Sequence, residues 1–458
     1  MLDFVSKRKS NKEFNKEYYS VVSKIAMPVI LQNLFSSTLG FVDLFMVARL
    51  GNYSIAAIGF SNQIFSILFN VMNGIACGAG IFIAQFSGKK EYDSVRSALK
   101  LALFMSGILA FIVSAIAILF PDIVLGLFSQ DAFVLKEGIP FLKIVAFSYV
   151  PSAITVCFVS GLMNLKNAKV PLMAGVVAMT LNTVLNYLLI YGSFGFPKMG
   201  IKGAAIATLS SKTIECMIIL GYIYLTKHIL AENYFKIKIS LKFAKKYIKA
   251  TTSIIINTFS WSFGQAVYVG LYAMVGIQYV AAINVADSIQ KFLFIVFTGV
   301  SSATGVLVGN CIGEKDDDKT FKIGLKSIKV VLIIAVILGG SLFFLSPYIA
   351  GNYGNLDYNM RIITGNILRI ISLVLWLKVL NMVLIQGIIR AGGDVRYSMW
   401  QNIIAMWLFG VPITIFAVKQ LHLSIYIVIL CTLSEEIVKF IGSIHRFRTK
   451  RWIIHLTE

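Results

Sequence analysis

The sequence predicts an all-α integral membrane protein with twelve transmembrane helices in two six-helix lobes, related by a pseudo-two-fold axis along the membrane normal. Three observations predict it: a composition too apolar for water, twelve apolar runs of bilayer-spanning length, and a repeat that relates the two halves. Hydrophobic residues make up 57% of the 458 and charged residues only 14%, against roughly 25% charged in a typical globular protein. Mean hydropathy is +0.80. A water-soluble protein of this composition would lack the polar surface to cover its core.

A span needs about twenty predominantly apolar residues. Such runs lie near 25–48, 53–85, 97–120, 139–163, 170–191, 202–225, 249–275, 279–311, 324–346, 361–388, 398–418 and 424–444. The opening MLDFVSKRKSNKEFNKEYYS is polar and basic, unlike a secretory signal, whose basic start leads directly into a compact apolar stretch. The expected organisation is therefore a cytoplasmic N-terminal tail over 1–24, an N-lobe over 25–225, a basic cytoplasmic linker over 226–248, a C-lobe over 249–444 and a basic cytoplasmic tail over 445–458.

Charge orients the spans. Lys7, Arg8, Lys9, Lys12 and Lys16 precede the first, Lys89, Lys90 and Arg96 follow the second, and Lys166 and Lys169 follow the fourth. Lys236, Lys238, Lys242, Lys245 and Lys246 fill the linker; Lys315, Lys319 and Lys322 follow the eighth span, Arg390 and Arg396 the tenth, and Arg446, Arg448, Lys450 and Arg451 the last. With twelve spans these 24 of 42 basic residues share one side, so both termini are expected in the cytoplasm of a multi-pass plasma (inner) membrane protein. The same clustering accounts for the net charge of +21 without a nucleic-acid partner, for which no motif is present.

The halves align on a shift of about 225 residues, which brings Ala56, Ala57, Gly74, Gly80, Gly88, Lys90 and Asp93 onto Ala281, Ala282, Gly299, Gly305, Gly313, Lys315 and Asp318. An even number of spans per repeat gives the repeats parallel topology, an arrangement that transporters use to rock one lobe against the other.

Chemistry that needs histidine or cysteine clusters is disfavoured. The five cysteines lie in apolar runs without metal-ligand or disulfide spacing. The four histidines lie at or near loops and termini. An intramembrane transferase needs a histidine, a carboxylate pair or a metal cluster at membrane depth, so no enzyme and no cofactor are expected.

Charges inside the spans each need a partner or a purpose, because burying one costs at least about 2.5–3.5 kcal/mol. Asp287 and Lys291, Lys212 and Glu215, and Glu435 and Lys439 are spaced to neutralise each other on single helix faces. Lys378 has no local acid; it lines a cleft or pairs with Asp287. Asp43 is different, with no base three or four positions away. One reading is a carboxylate satisfied by the hydroxyls and amides of a neighbouring helix. The favoured one is a cation or proton site. Asn182 and Asn186 lie one turn apart in the fifth span, and Ala204 and Thr208 one turn apart in the sixth; alone, each pair suits helix–helix hydrogen bonding, but with Asp43 they make an oxygen cage.

The ordered set Pro28, Gln32 and Asp43, Gly51 with AAIG at Ala56, AQFSGKK at Ala84, LNTVLNYLLIYG at Leu181, GIKGAAIATLSS at Gly200, VGNCIGEKD at Val308 and GIIRAGGDVR at Gly387 resembles the multidrug and toxic compound extrusion (MATE) family over nearly the whole chain. The resemblance implies two six-helix bundles about a central cavity and export of small-molecule drugs and amphipathic organic cations across the lipid bilayer, by a monomer, against inward Na⁺ or H⁺. It also implies an N-lobe cation site at Asp43, Asn182 and Thr208, with Ala204 contributing backbone and Asn186 standing where many members have an acid. NorM-type members carry acids in spans seven and ten. Here Trp261, Gln265 and Lys378 occupy those stretches, so only a C-lobe cavity including Asp287 is expected there. The alternative within the superfamily is a lipid-linked oligosaccharide flippase, whose cleft is richer in Arg and Lys.

Overall fold

The computed structural model describes residues 2–232, 234, 236–237, 239–352 and 358–457; Lys238 of the linker lies outside them. The chain divides into two compact units, one of Pro28–Ile255 and one of Met1–Met27 with Ile256–Glu458. In order the helices are α1 (Leu2–Ala48), α2 (Asn52–Gly88), α3 (Tyr92–Leu119), α4 (Pro121–Gly126), α5 (Ala132–Ala146), α6 (Tyr149–Asn164), α7 (Lys169–Tyr191) and α8 (Ile201–Leu225). They continue with α9 (Leu241–Val275), α10 (Ile277–Gly313), α11 (Asp317–Asn352), α12 (Tyr358–Met382), α13 (Val395–Ile404), α14 (Val411–Lys419), α15 (Ile425–Thr432) and α16 (Ser434–Arg448). A π-helical turn over Val383–Arg390 follows α12, and another over Ala405–Gly410 joins α13 to α14.

Nine helical stretches among the described residues are long and apolar enough to cross a membrane, and α5 with α6 makes a tenth, bent by 46°. The two remaining expected spans are helical but more polar. The stretch at 249–275 lies in α9, which carries INTFSWSFGQ, and the stretch at 424–444 is α15 and α16, which carry Glu435, Glu436 and Lys439. Large apolar side chains cover the outer faces of α3 and α11, where Phe111 is 68% and Phe344 80% exposed. Such surface is stable only against lipid or another protein.

One positive-φ helix end repeats with the sequence. Lys90 (φ 61°) and Lys315 (φ 60°), paired by the 225-residue shift, both adopt the left-handed conformation; Lys166 (φ 63°), Lys227 (φ 48°), Gly393 (φ 101°) and Lys450 (φ 55°) also have positive φ. The N–H after Lys90 reaches back five residues to Phe86 O, and the N–H after Lys315 to Cys311 O, each at 3.0–3.2 Å. This six-residue closure satisfies carbonyls that a helix end leaves open. Lysine pays steric strain in this conformation that glycine avoids, yet it places a cation at the negative end of each helix.

Two segments read from sequence as a tail and a linker are built into the units. The expected 1–24 tail is helical from Leu2, continuous with the first span, and Pro28 stands inside α1. Tyr18 is buried and its hydroxyl lies 2.9 Å from Ser327 Oγ of α11, while Lys326 Nζ sits 4.2 Å above the Tyr19 ring. The 226–248 segment packs on the Pro28–Ile255 unit: Arg96 Nε donates to Ile229 O at 2.8 Å, Lys100 Nζ to Ile237 O at 2.6 Å, and buried Tyr247 to Ile75 O at 2.9 Å.

Candidate cation site and a charged cavity

In the Pro28–Ile255 unit, α7 and α8 lie against each other at very short range. Gly203 permits it, since a Cβ there would fall 2.6 Å from Leu189 O. The small stretch Gly203, Ala204, Ala205 and Ala207 is buried, as expected where helix backbones approach closely in a membrane. Asn182 and Asn186 of α7 then meet Thr208 and Ser211 of α8, and Asp43 of α1 reaches the same place.

The hydrogen bonds define a compact polar cluster. Asn186 Nδ2 donates to Asp43 Oδ1 at 3.1 Å and to Asn182 Oδ1 at 3.2 Å, and Thr183 Oγ1 donates to Asp43 Oδ1 at 3.4 Å. Asn182 has two amide orientations to choose between. In one, Nδ2 donates to Ser211 Oγ at 3.3 Å. In the other, it donates to Asp43 Oδ2 at 2.8 Å and Oδ1 accepts from the Thr208 N–H at 3.3 Å, in exchange for the bonds to Ser211 and from Asn186. Thr208 Oγ1 donates to Ala204 O at 3.0 Å, and Ser211 Oγ to Thr208 O at 2.9 Å.

Among the described residues no base pairs with Asp43; its partners there are neutral amides and a hydroxyl. Asn186 is 4% exposed and its Oδ1 has no hydrogen-bond partner among the described residues. A buried, unsatisfied acceptor is rare enough to require a reason. Here it belongs to a side chain that also donates to the Asp43 carboxylate and to the Asn182 amide. One negative charge with several neutral oxygens is the donor set of a hard monovalent cation, and a lone desolvated carboxylate is equally a proton acceptor. Ala204 enters by holding the Thr208 hydroxyl with its carbonyl. Thr183 and Ser211 were not singled out from sequence, although their spacing, three residues from Asn186 and Thr208, places each on the same helix face.

In the other unit, Trp261 and Gln265 of α9, Asp287 of α10 and Lys378 of α12 line one cavity of about 500 Å³. Lys378 Nζ donates to Gln290 Oε1 at 3.2 Å. The expected pairing of Asp287 with Lys291 is absent: neither residue makes an ion pair within 4 Å among the described residues, and Lys291 is exposed. The reason is the side each takes, since Asp287 lines the cavity and Lys291 does not. The other two expected pairs form, Lys212 with Glu215 at 3.0 Å and Lys439 with Glu435 at 2.8 Å. Glu436, missed from sequence, joins Lys439 at 3.2 Å and accepts from Asn381 Nδ2 at 2.8 Å.

Comparison with known proteins places this architecture. The MatE family pattern matches residues 28–188 and 253–416. The uncharacterized transporter YisQ of Bacillus subtilis (strain 168) is 22% identical over 438 residues, covering 94% of each chain. A probable multidrug resistance protein NorM of Thermotoga maritima is 23% identical over 423 residues, covering 90% of this chain and 89% of its own. Among solved structures, MATE in the bent conformation superposes with a TM-score of 0.83 at 19% identity, covering 95% of this chain and 96% of the other.

Proposed function

The chain belongs to the MatE family of membrane transporters, and on that premise we propose that it exports amphipathic organic cations, drugs among them, by alternating access driven by inward Na⁺ or H⁺. The probable multidrug resistance proteins among its relatives support the cargo. The observation that carries the coupling is Asp43 among neutral oxygens, beside the unpartnered Asn186 Oδ1.

The physical requirement is a site whose occupancy biases the lobes. A ligand shifts a conformational equilibrium only through unequal affinity for the two states. Asp43 meets α7 through hydrogen bonds that a bound cation or proton would remake, so occupancy alters how α1 sits on that helix. Plasma-membrane location, cytoplasmic termini and action as a monomer belong to the same proposal, the first two supported by the distribution of basic residues.

The test is transport by purified protein in proteoliposomes loaded with a fluorescent cationic dye. Uphill dye movement under an imposed Na⁺ gradient, a proton gradient or both is expected. Dye movement that never exceeds equilibration under either gradient would overturn the proposal. Movement of a lipid-linked oligosaccharide in the same vesicles, without dye transport, would favour the flippase.

A further inference from the structure

The cavity of the C-terminal unit is lined by three acids, Asp287, Glu435 and Glu436, and three bases, Lys378, Arg390 and Lys439. Half of these charges satisfy one another. Lys439 bridges Glu435 at 2.8 Å and Glu436 at 3.2 Å, while Tyr268 donates to Glu435 at 2.8 Å and Asn381 to Glu436 at 2.8 Å. Asp287 and Lys378 are in another condition. Asp287 has no hydrogen bond or ion pair among the described residues, and Lys378 has only a neutral amide, Gln290 Oε1 at 3.2 Å. Gln290 is three residues beyond Asp287 on α10 and shares its face. The hydrogen bond therefore holds the Lys378 ammonium beside the Asp287 carboxylate without joining them.

We propose that this cavity binds a zwitterionic organic molecule with an aromatic body, Asp287 holding its ammonium and Lys378 its carboxylate. Two opposite charges, adjacent but unjoined in a partly dry cavity, are each costly until something pairs with them. A simple cation would pair with Asp287 but bring a like charge up to Lys378, and a simple anion would do the reverse. A molecule carrying both charges close together satisfies both, and its zero net charge matches three acids against three bases. Trp261, Tyr268, Tyr272 and Phe294 line the same space and offer flat apolar surface for the body. The π-helical turns over Val383–Arg390 and Ala405–Gly410 abut this cavity or its lining helix α13, and such turns recur at functional sites. The proposal goes beyond the export reading: it adds a zwitterion to the cations proposed as cargo, and its binding test needs no transport.

Binding of three dansyl probes to the purified full-length protein tests it: Nε-dansyl-L-lysine, a zwitterion; its methyl ester, a cation; and its Nα-acetyl derivative, an anion. The zwitterion is expected to bind at least about tenfold more tightly than either. Asp287→Asn should weaken the zwitterion and the ester but not the acetyl form, and Lys378→Gln the zwitterion and the acetyl form but not the ester. Binding is read at equilibrium with no gradient imposed, so a failure of the ion coupling proposed in the other unit is read separately. The wild-type ranking needs no variant, so a misfolded mutant does not decide the outcome. An ester bound as tightly as the zwitterion, no binding of any probe, or both variants keeping the wild-type order would overturn the proposal.

Discussion

At Asp43 a single carboxylate is held by amides and a hydroxyl and, among the described residues, by no base. Asp43→Asn keeps the size and most of the hydrogen bonding but removes the charge that, on the proposed coupling, draws in a cation. Cation-dependent protection of the purified protein against heat, read as a Na⁺- or pH-dependent shift in Tm, should vanish in this variant. Asn186→Ala removes one neutral oxygen and a donor to Asp43, worth about 0.5–1.5 kcal/mol, and should weaken apparent cation affinity roughly two- to tenfold in the same assay. Asp43, Asn182, Asn186 and Thr208 were legible in the sequence because intramembrane polar residues at helical spacing are few. Asp287 was legible as a charge but not by partner, since i,i+4 spacing to Lys291 does not say that the two side chains diverge, one lining the cavity and one exposed.

At the scale of helices, two contacts carry most of the positioning. The α7–α8 crossing depends on Gly203, where any side chain would strike the backbone of Leu189. Gly203→Val should lower Tm by overpacking, at a cost of about 1–3 kcal/mol, and should reduce cation protection as Asn182 moves away from Ser211 and Thr208. The α16 cluster depends on Lys439, whose side chain is 7% exposed between Glu435 and Glu436. Lys439→Met should destabilise the protein by about 3–5 kcal/mol, visible as poor yield and lowered Tm, because two buried carboxylates lose their cation. Restoring charge balance with Glu435→Gln and Glu436→Gln in the same chain should recover much of it. The apolar runs revealed the helices, although α9 and α16 carry polar residues that lower their hydropathy below that of the other spans. The bend between α5 and α6 had no such signal, because the chain stays apolar across Phe147 and Ser148.

For the molecule as a whole, the repeat was the most informative feature of the sequence, and its imprint reaches the backbone at Lys90 and Lys315, left-handed at matching positions. Both residues lie on the basic side of the spans. Cysteines placed at Lys89, Lys166 or Lys315 should react with a membrane-impermeant thiol reagent only from the cytoplasmic face, in inverted but not right-side-out vesicles. The N-terminal segment and the 226–248 linker were less legible, because their basic surfaces hide the buried Tyr18 and Tyr247 that tie them to their units. The proposed conversion of an ion gradient into directed export at Asp43 is tested by comparing wild-type and Asp43→Asn proteoliposomes for dye accumulation driven by Na⁺ or proton gradients, alongside dye binding at equilibrium. The variant should bind dye normally and lose accumulation under every gradient that drives the wild type; an Asp43→Asn protein that still concentrates dye would refute the role of Asp43.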